Sequence, residues 1–232
     1  HIHFLRGNLH FVAGKGEACR AEHEQALQFA QRVGDTECEA QAYSGLGDAY
    51  YAQGRMRSAH DAFTRCVAIC DREGLTRFAI MNSVMIAIIE SWMGDSAAAL
   101  TRLARVGADA GNFRHRLAET MIAEVTGWMF VSRGQHEDAA PHLQRSLALA
   151  QEIGARRFET MDLALLARVD LSRGMRNEAR VRLNAAWEVS ARTGHAFAGA
   201  VVQGVLALAA ASDAARCAAL ASGEDLLRTE DI

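Results

Sequence analysis

The stretch LGDAYYAQGRMRSAHDAF, Leu46 to Phe63, decides the fold. It holds a glycine inside one helical pattern (Gly47), a second glycine where that pattern breaks (Gly54), an alanine twelve residues after the first (Ala59) and a large apolar residue at Phe63. Stepping along the chain by 40 residues finds each of these positions again. Gly14, Gly54, Gly94, Gly134 and Gly174 form one ladder at that period. A second ladder, Gly34, Gly74, Gly154 and Gly194, is offset by 20 and skips only the slot at Arg114. Glycine at such positions closes a helix, because the left-handed conformation at its end is least costly without a Cβ. Each 40-residue unit therefore holds two helices, one closed by each ladder.

A third ladder, Gly7, Gly47, Ala87, Gly127, Ala167 and Ala207, lies mid-helix. Glycine there costs up to about 1 kcal/mol relative to alanine, so it needs a packing reason. Ala59, Ala99, Ala139 and Ala179 follow twelve residues later, with Cys19 in the first unit. Small residues on two antiparallel helices permit close approach, with large residues such as Leu46, Ile86, Phe63, Leu103, Leu143 and Leu183 in flanking slots. The expected architecture is all-α, a right-handed superhelical solenoid of about six antiparallel helix hairpins. It forms one repeat domain over residues 1–232, with units at 1–33, 34–73, 74–113, 114–153, 154–193 and 194–232. Asp95 with Ser96, and Asn177 with Glu178, supply short polar groups suited to capping helix starts.

Composition agrees with that architecture. A single proline, Pro141, and about one alanine in five residues favour helices. With 50% hydrophobic and 23% charged residues the chain folds and is not disordered. A net charge of -3 and the absence of a basic run leave no electrostatic footprint for a nucleic acid or an anionic membrane. The longest apolar stretch, residues 196–211, is short of the roughly 20 needed to cross a bilayer. Five scattered cysteines, Cys66 and Cys70 among them on one helical face, fit a reducing cytoplasm and ordinary core packing. The opening HIHFLRGN has no initiator methionine and no cleavage site, and is expected to be the edge of a piece of a longer protein.

The small residue, the alanine twelve later and the apolar residue between them resemble the tetratricopeptide repeat (TPR), over nearly the whole chain. Units of 40 residues, against the usual 34 of that family, and the missing unit-ending proline imply longer helices. The segments IHFLRGNLHF, EHEQALQFAQ, GLGDAYYAQGRM and GARRFE resemble the carboxy-terminal region of multidomain class III adenylate or guanylate cyclases, where a cyclase domain and an ATPase domain precede such repeats. That resemblance implies a non-catalytic arm of a bacterial cytoplasmic signalling protein, its activity upstream of His1. Two other readings stay open: the ligand-sensing arm of an ATPase-type transcription activator, and a stand-alone adaptor.

No catalytic residue, metal or cofactor is expected. The one lysine, Lys15 in GKGEAC, lacks phosphate-loop spacing, and the nine histidines contain no HExxH. Glu37 with Glu39, and Glu230 with Asp231, are expected to be solvated charge. Glu39, Glu119 and Glu159 share one slot and are expected to cap or to pair with arginines such as Arg116 and Arg157. By the family resemblance the first helices line a concave wall, which should present Asn8, Gln41, Asp48, Tyr51, Met81, Ile88, Trp92, Met121, Glu124, Trp128, Met161 and Arg168. Thioethers and indoles there suit a peptide or protein segment, from another protein or from the same chain; the alternative is that they bury against neighbouring helices. The sixth unit, AFAGAVVQGVLALAAA onward, is apolar nearly all round, so downstream residues or a second copy of the chain should cover it.

Overall fold

A computed structural model describes residues 1–193 and 198–229, and among them every regular element is a helix. Gly194, Ala196, Phe197 and the Glu230–Asp231 pair lie outside the described residues. The helices fall into six hairpins: α1 (Ile2–Val12) with α2 (Gly16–Val33), α3 (Thr36–Ala52) with α4 (Met56–Glu73), α5 (Thr76–Trp92) with α6 (Ser96–Asn112), α7 (Arg116–Ser132) with α8 (His136–Ile153), α9 (Arg156–Ser172) with α10 (Arg176–Thr193), and α11 (Gly199–Ala209) with α12 (Asp213–Thr229). They divide into two compact units, residues 1–118 and 119–232, the division falling just inside α7. Within the first unit α2 packs on α3 and α4 on α5; within the second α8 packs on α9, and α11 on both α9 and α10.

The helix ends follow from the glycine ladders. Gly34, Gly74 and Gly154 close α2, α4 and α8 at φ near +70°, while Gly14, Gly54, Gly94, Gly134 and Gly174 take positive φ in the turns inside the first five hairpins. The skipped slot keeps the conformation without the residue suited to it: Arg114 stands at φ 47°. An L side chain is strained in that region, so Arg114→Gly is expected to stabilise the chain by about 0.5–1 kcal/mol and to raise its melting temperature by a few degrees. An unchanged or lower midpoint in a thermal melt would count against a strained turn. Asp35 and Asp95 cap α3 and α6, accepting from the Cys38 and Ala98 amides at 2.9 and 3.1 Å. Asn177 and Glu178, expected as caps, lie inside the first turn of α10.

The mid-helix glycines are explained by large residues, which corrects the simpler picture of small residues facing small ones. A Cβ on Gly47 would stand 2.5 Å from the Phe63 ring, one on Gly127 2.6 Å from the Leu143 side chain, and one on Gly7 2.5 Å from the His23 ring. In these three hairpins the glycine is thus the socket for the side chain sixteen positions on. In the third and fifth hairpins an alanine takes the glycine's place opposite a leucine, whereas the fourth keeps Gly127 opposite Leu143: Ala87 and Ala167, with Leu103 and Leu183, are all buried. The alanines twelve on, Ala59, Ala99, Ala139 and Ala179, and Cys19 with them, are fully buried beside these contacts. In the sixth hairpin the socket moves to the second helix: a Cβ on Gly223 of α12 would meet the Gln203 Cβ at 3.3 Å, and Ala207 is buried.

His23 occupies two sockets at once. Its ring also lies against Gly45 of the next hairpin, where any Cβ would collide with it, and meets Phe4 edge-on at 5.7 Å. Burial holds this imidazole down to about 4, so it stays neutral, and its Nδ1 has no hydrogen-bond partner.

Charged pairs fasten the hairpins at repeated spacings. Glu90 with Arg102 and Asp170 with Arg182 join the two helices of a hairpin twelve residues apart, at 2.6 Å in both cases. Gln53 with Glu17, and Arg173 with Glu137, tie successive hairpin turns 36 residues apart. Glu39, Glu119 and Glu159 accept from Gln31, Arg145 and Gln151, and Glu159 also from Arg156.

Candidate functional site

The twelve residues expected on the wall all sit on first helices of hairpins. In the first unit Asn8 is exposed on α1; Gln41, Asp48 and Tyr51 on α3, and Met81 and Ile88 on α5, are half-buried; Trp92 at the end of α5 is 58% exposed. In the second unit Met121, Glu124 and Trp128 on α7, and Met161 and Arg168 on α9, are half-buried. Tyr51 packs against the cluster of Ala59, Phe63, Ile86 and Ile89. Trp128 and Met161 pack against the cluster that contains Val131, Leu143, Leu165 and Val169. These side chains are therefore partly core and partly surface, with Trp92 and Asn8 the open ones.

The carboxylates among them share one electrostatic condition. Burial pushes the Asp48 carboxyl up to about 7; the two buried thiols beside it, Cys19 and Cys66, are raised in part by its charge. Burial likewise pushes Glu124 up to about 7, with Arg157 acting in the opposite direction. A third acid was not anticipated. Asp162 on α9 is fully buried with neither carboxylate oxygen hydrogen-bonded, and burial together with the Glu124 charge pushes it up to about 8. The Ser146 hydroxyl itself donates to the Thr120 carbonyl at 3.2 Å. Arg157 stacks its guanidinium on the Phe158 ring at 4.4 Å, and burial lowers its pKa. The slot of Asp162 holds Ala42, Asn82 and Ile122 in the preceding units, so periodicity predicts no acid there.

Chemically this surface is poor in mobile charge and rich in apolar and amide groups. Gln41 keeps a buried, unpartnered side-chain oxygen, which a ligand amide can fill. Among the described residues no cluster of three or more His, Cys, Asp or Glu side chains is placed to hold a metal ion, and no helix is long and apolar enough to cross a membrane. All five cysteines are free; Cys66 and Cys70 share one face of α4 with their sulfurs 4.0 Å apart.

With this geometry in hand the likenesses to known proteins can be placed. The tetratricopeptide-repeat family model matches residues 2–72. No curated protein sequence matches the chain significantly. Among solved structures, aspartyl phosphate phosphatase F from Bacillus subtilis is similar over 98% of this chain and 59% of its own, at 15% identity and a TM-score of 0.83. A Rap protein complexed with competence and sporulation factor is similar over 98% of this chain and 67% of its own, at 15% identity and a TM-score of 0.81. Kinesin light chain TPR-like repeats from Podosopora anserina match 83% of this chain and 95% of theirs, at 17% identity and a TM-score of 0.60. The chain thus spans about three-fifths of the phosphatase it resembles, and identities this low establish a TPR-like helical-repeat fold and nothing narrower.

Proposed function

We propose that the chain is a non-catalytic binding scaffold whose first-helix surfaces hold a protein or peptide segment. The observation that carries this is the half-open row of Tyr51, Met81, Ile88 and Trp92 in the first unit, and Met121, Trp128 and Met161 in the second. Aromatic and thioether side chains present large, adaptable contact area, and they stand beside acids whose pKa burial raises to about 7. Such a surface fits the apolar face of an amphipathic helix or an extended segment, including one from the same polypeptide. A neighbour of this fold solved together with competence and sporulation factor is consistent with ligand capture by such arrays.

The test is selection of displayed 16-residue peptides on the whole chain, followed by measurement on Trp92→Ala with Trp128→Ala. Each unit losing its aromatic contact, the double variant is expected to bind the selected peptides about tenfold or more weakly, with far-UV helicity nearly intact. Equal binding by the double variant, or no enrichment, would remove this reading; a large loss of helicity would return both indoles to the core.

The parent protein we propose is a cytoplasmic bacterial signalling protein, a nucleotide cyclase with an ATPase module, on the strength of the segment resemblances at residues 2–11, 22–31, 45–56 and 154–159. Sequencing upstream of His1 tests it directly: a cyclase domain supports it, while a helix-turn-helix or a nearby start codon replaces it with the activator or adaptor reading. Leu220 and Leu227 of the sixth hairpin are 48% and 59% exposed, which favours a second copy or a further segment covering them. A strict monomer by light scattering would leave only the further segment.

A further inference from the structure

The second unit carries a cleft that shares only Arg168 with the wall residues named above. It measures about 300 Å³ and is lined by His136, Arg168, Leu171, Ser172, Arg176 and Leu208. Two of its walls are guanidiniums with no ion pair or hydrogen bond among the described residues. The carboxylates that could neutralise them are taken: Glu137 is held by Arg173 through two bonds of 2.8 and 2.7 Å, Asp170 by Arg182 at 2.6 Å, and Asp138 lies 3.5 Å from the Gln135 amide. His136 adds a ring whose Nδ1 is buried and unpartnered. His136 and Arg176 are also the first residues of α8 and α10, so the N-terminal turns of two helices contribute to the lining, and no side chain caps α8. Ser172 donates its hydroxyl to the Val169 carbonyl at 2.7 Å, so that proton is already taken.

We infer that this cleft binds a phosphate monoester, the phosphoryl group between Arg168, Arg176 and His136 and the organic part against Leu171 and Leu208. Two permanent cations, beside an imidazole and two helix N-terminal turns, match a group carrying about −1.5 to −2 charge better than a single carboxylate. The volume, at the lower end for small-ligand sites, is too large for the oxyanion alone and leaves the two leucines to meet a carbon skeleton. An extended nucleic acid does not fit, since the net charge is -3 and no basic stripe continues from the cleft. The site shares Arg168 with the wall, and small anions probe it without Trp92 or Trp128.

Calorimetric titration of the whole chain with phenyl phosphate, inorganic phosphate and benzoate at fixed ionic strength tests it. Phenyl phosphate is expected to bind saturably and tightest, with benzoate at least tenfold weaker. Arg168→Gln with Arg176→Gln should cost tenfold or more, while Arg180→Gln with Arg192→Gln, the same charge change elsewhere on the second unit, should leave affinity within twofold. Leu208→Ser, at an exposed position, should weaken phenyl phosphate several-fold and leave inorganic phosphate unchanged, which keeps the test decisive if the arginine pair fails to fold by circular dichroism. Absence of saturable binding, equal loss in both arginine pairs, or benzoate binding as tightly as phenyl phosphate would overturn the assignment. A short phosphotyrosine peptide that binds more tightly than phenyl phosphate places the phosphate on a protein side chain; equal or weaker binding places it on a small metabolite.

Discussion

Gly47→Leu is expected to lower the unfolding free energy by about 3 kcal/mol or more, because the Phe63 ring already lies 2.5 Å from where even a Cβ would stand, and Phe63 is buried to 1%. Neither partner can retreat: Ala59 is fully buried beside them, and Ile86 and Ile89 of the next hairpin complete the cluster. The repeats themselves supply the rescue. Ala87 with Leu103 and Ala167 with Leu183 are working versions of the same socket and knob. Gly47→Ala alone should therefore destabilise by about 1–3 kcal/mol, and adding Phe63→Leu should bring the double variant back to within about 1.5 kcal/mol of the parent. Urea unfolding of the four members of this cycle reads the coupling. Additive effects would mean that the glycine serves something other than the ring.

Asp162→Asn is expected to stabilise the second unit by roughly 3 kcal/mol at pH 8 and to do almost nothing at pH 4. The sign follows from the direction of the shift. The folded carboxyl is held up to about 8 while the unfolded one titrates near the ordinary carboxylate value, so the folded state binds more protons. Stability is then full below pH 4 and is lost as pH rises toward 8. Asparagine removes the charge and has a precedent: Asn82, in the same slot of the third hairpin, donates its side-chain amide to the Phe78 carbonyl at 2.9 Å. Phe158 stands in the matching place four residues before Asp162. Glu124 acts in the same direction, so the variant should flatten the profile only in part. In the first unit Asp48 follows this sign, whereas His23, held near 4, opposes it and costs stability as pH falls below 6.5. Denaturant midpoints from pH 4 to 8 check the point; a parallel offset at every pH would mean that Asp162 carries no buried charge at high pH.

The glycine ladders show how far local pattern reaches. A helix end needs a residue that tolerates positive φ, and that demand is met within a few residues of chain, so the positions at 34, 54, 74, 94, 134, 154 and 174 were legible without any tertiary knowledge. The skipped slot was legible as an omission, but only the backbone at Arg114 shows that the left-handed turn is kept. Gly47 announced a close contact through its cost in a helix; which side chain fills the space was misassigned to the alanine twelve on instead of the ring sixteen on. The difference depends on helix rotation, which spacing alone leaves open.

Asp162, Gly45 with His23, and the arginine cleft had no signal in period or composition, since each departs from its slot in the other units. Helix length, hairpin order and the all-helical class are properties of backbone preference and of apolar spacing along one segment, and sequence alone determined them. The pKa values of the buried acids, the double socket of one imidazole and the two unpaired guanidiniums were decided by the tertiary structure. Desolvation and charge pairing depend on atoms contributed by helices far apart in the chain, and no local pattern records which of those atoms arrive.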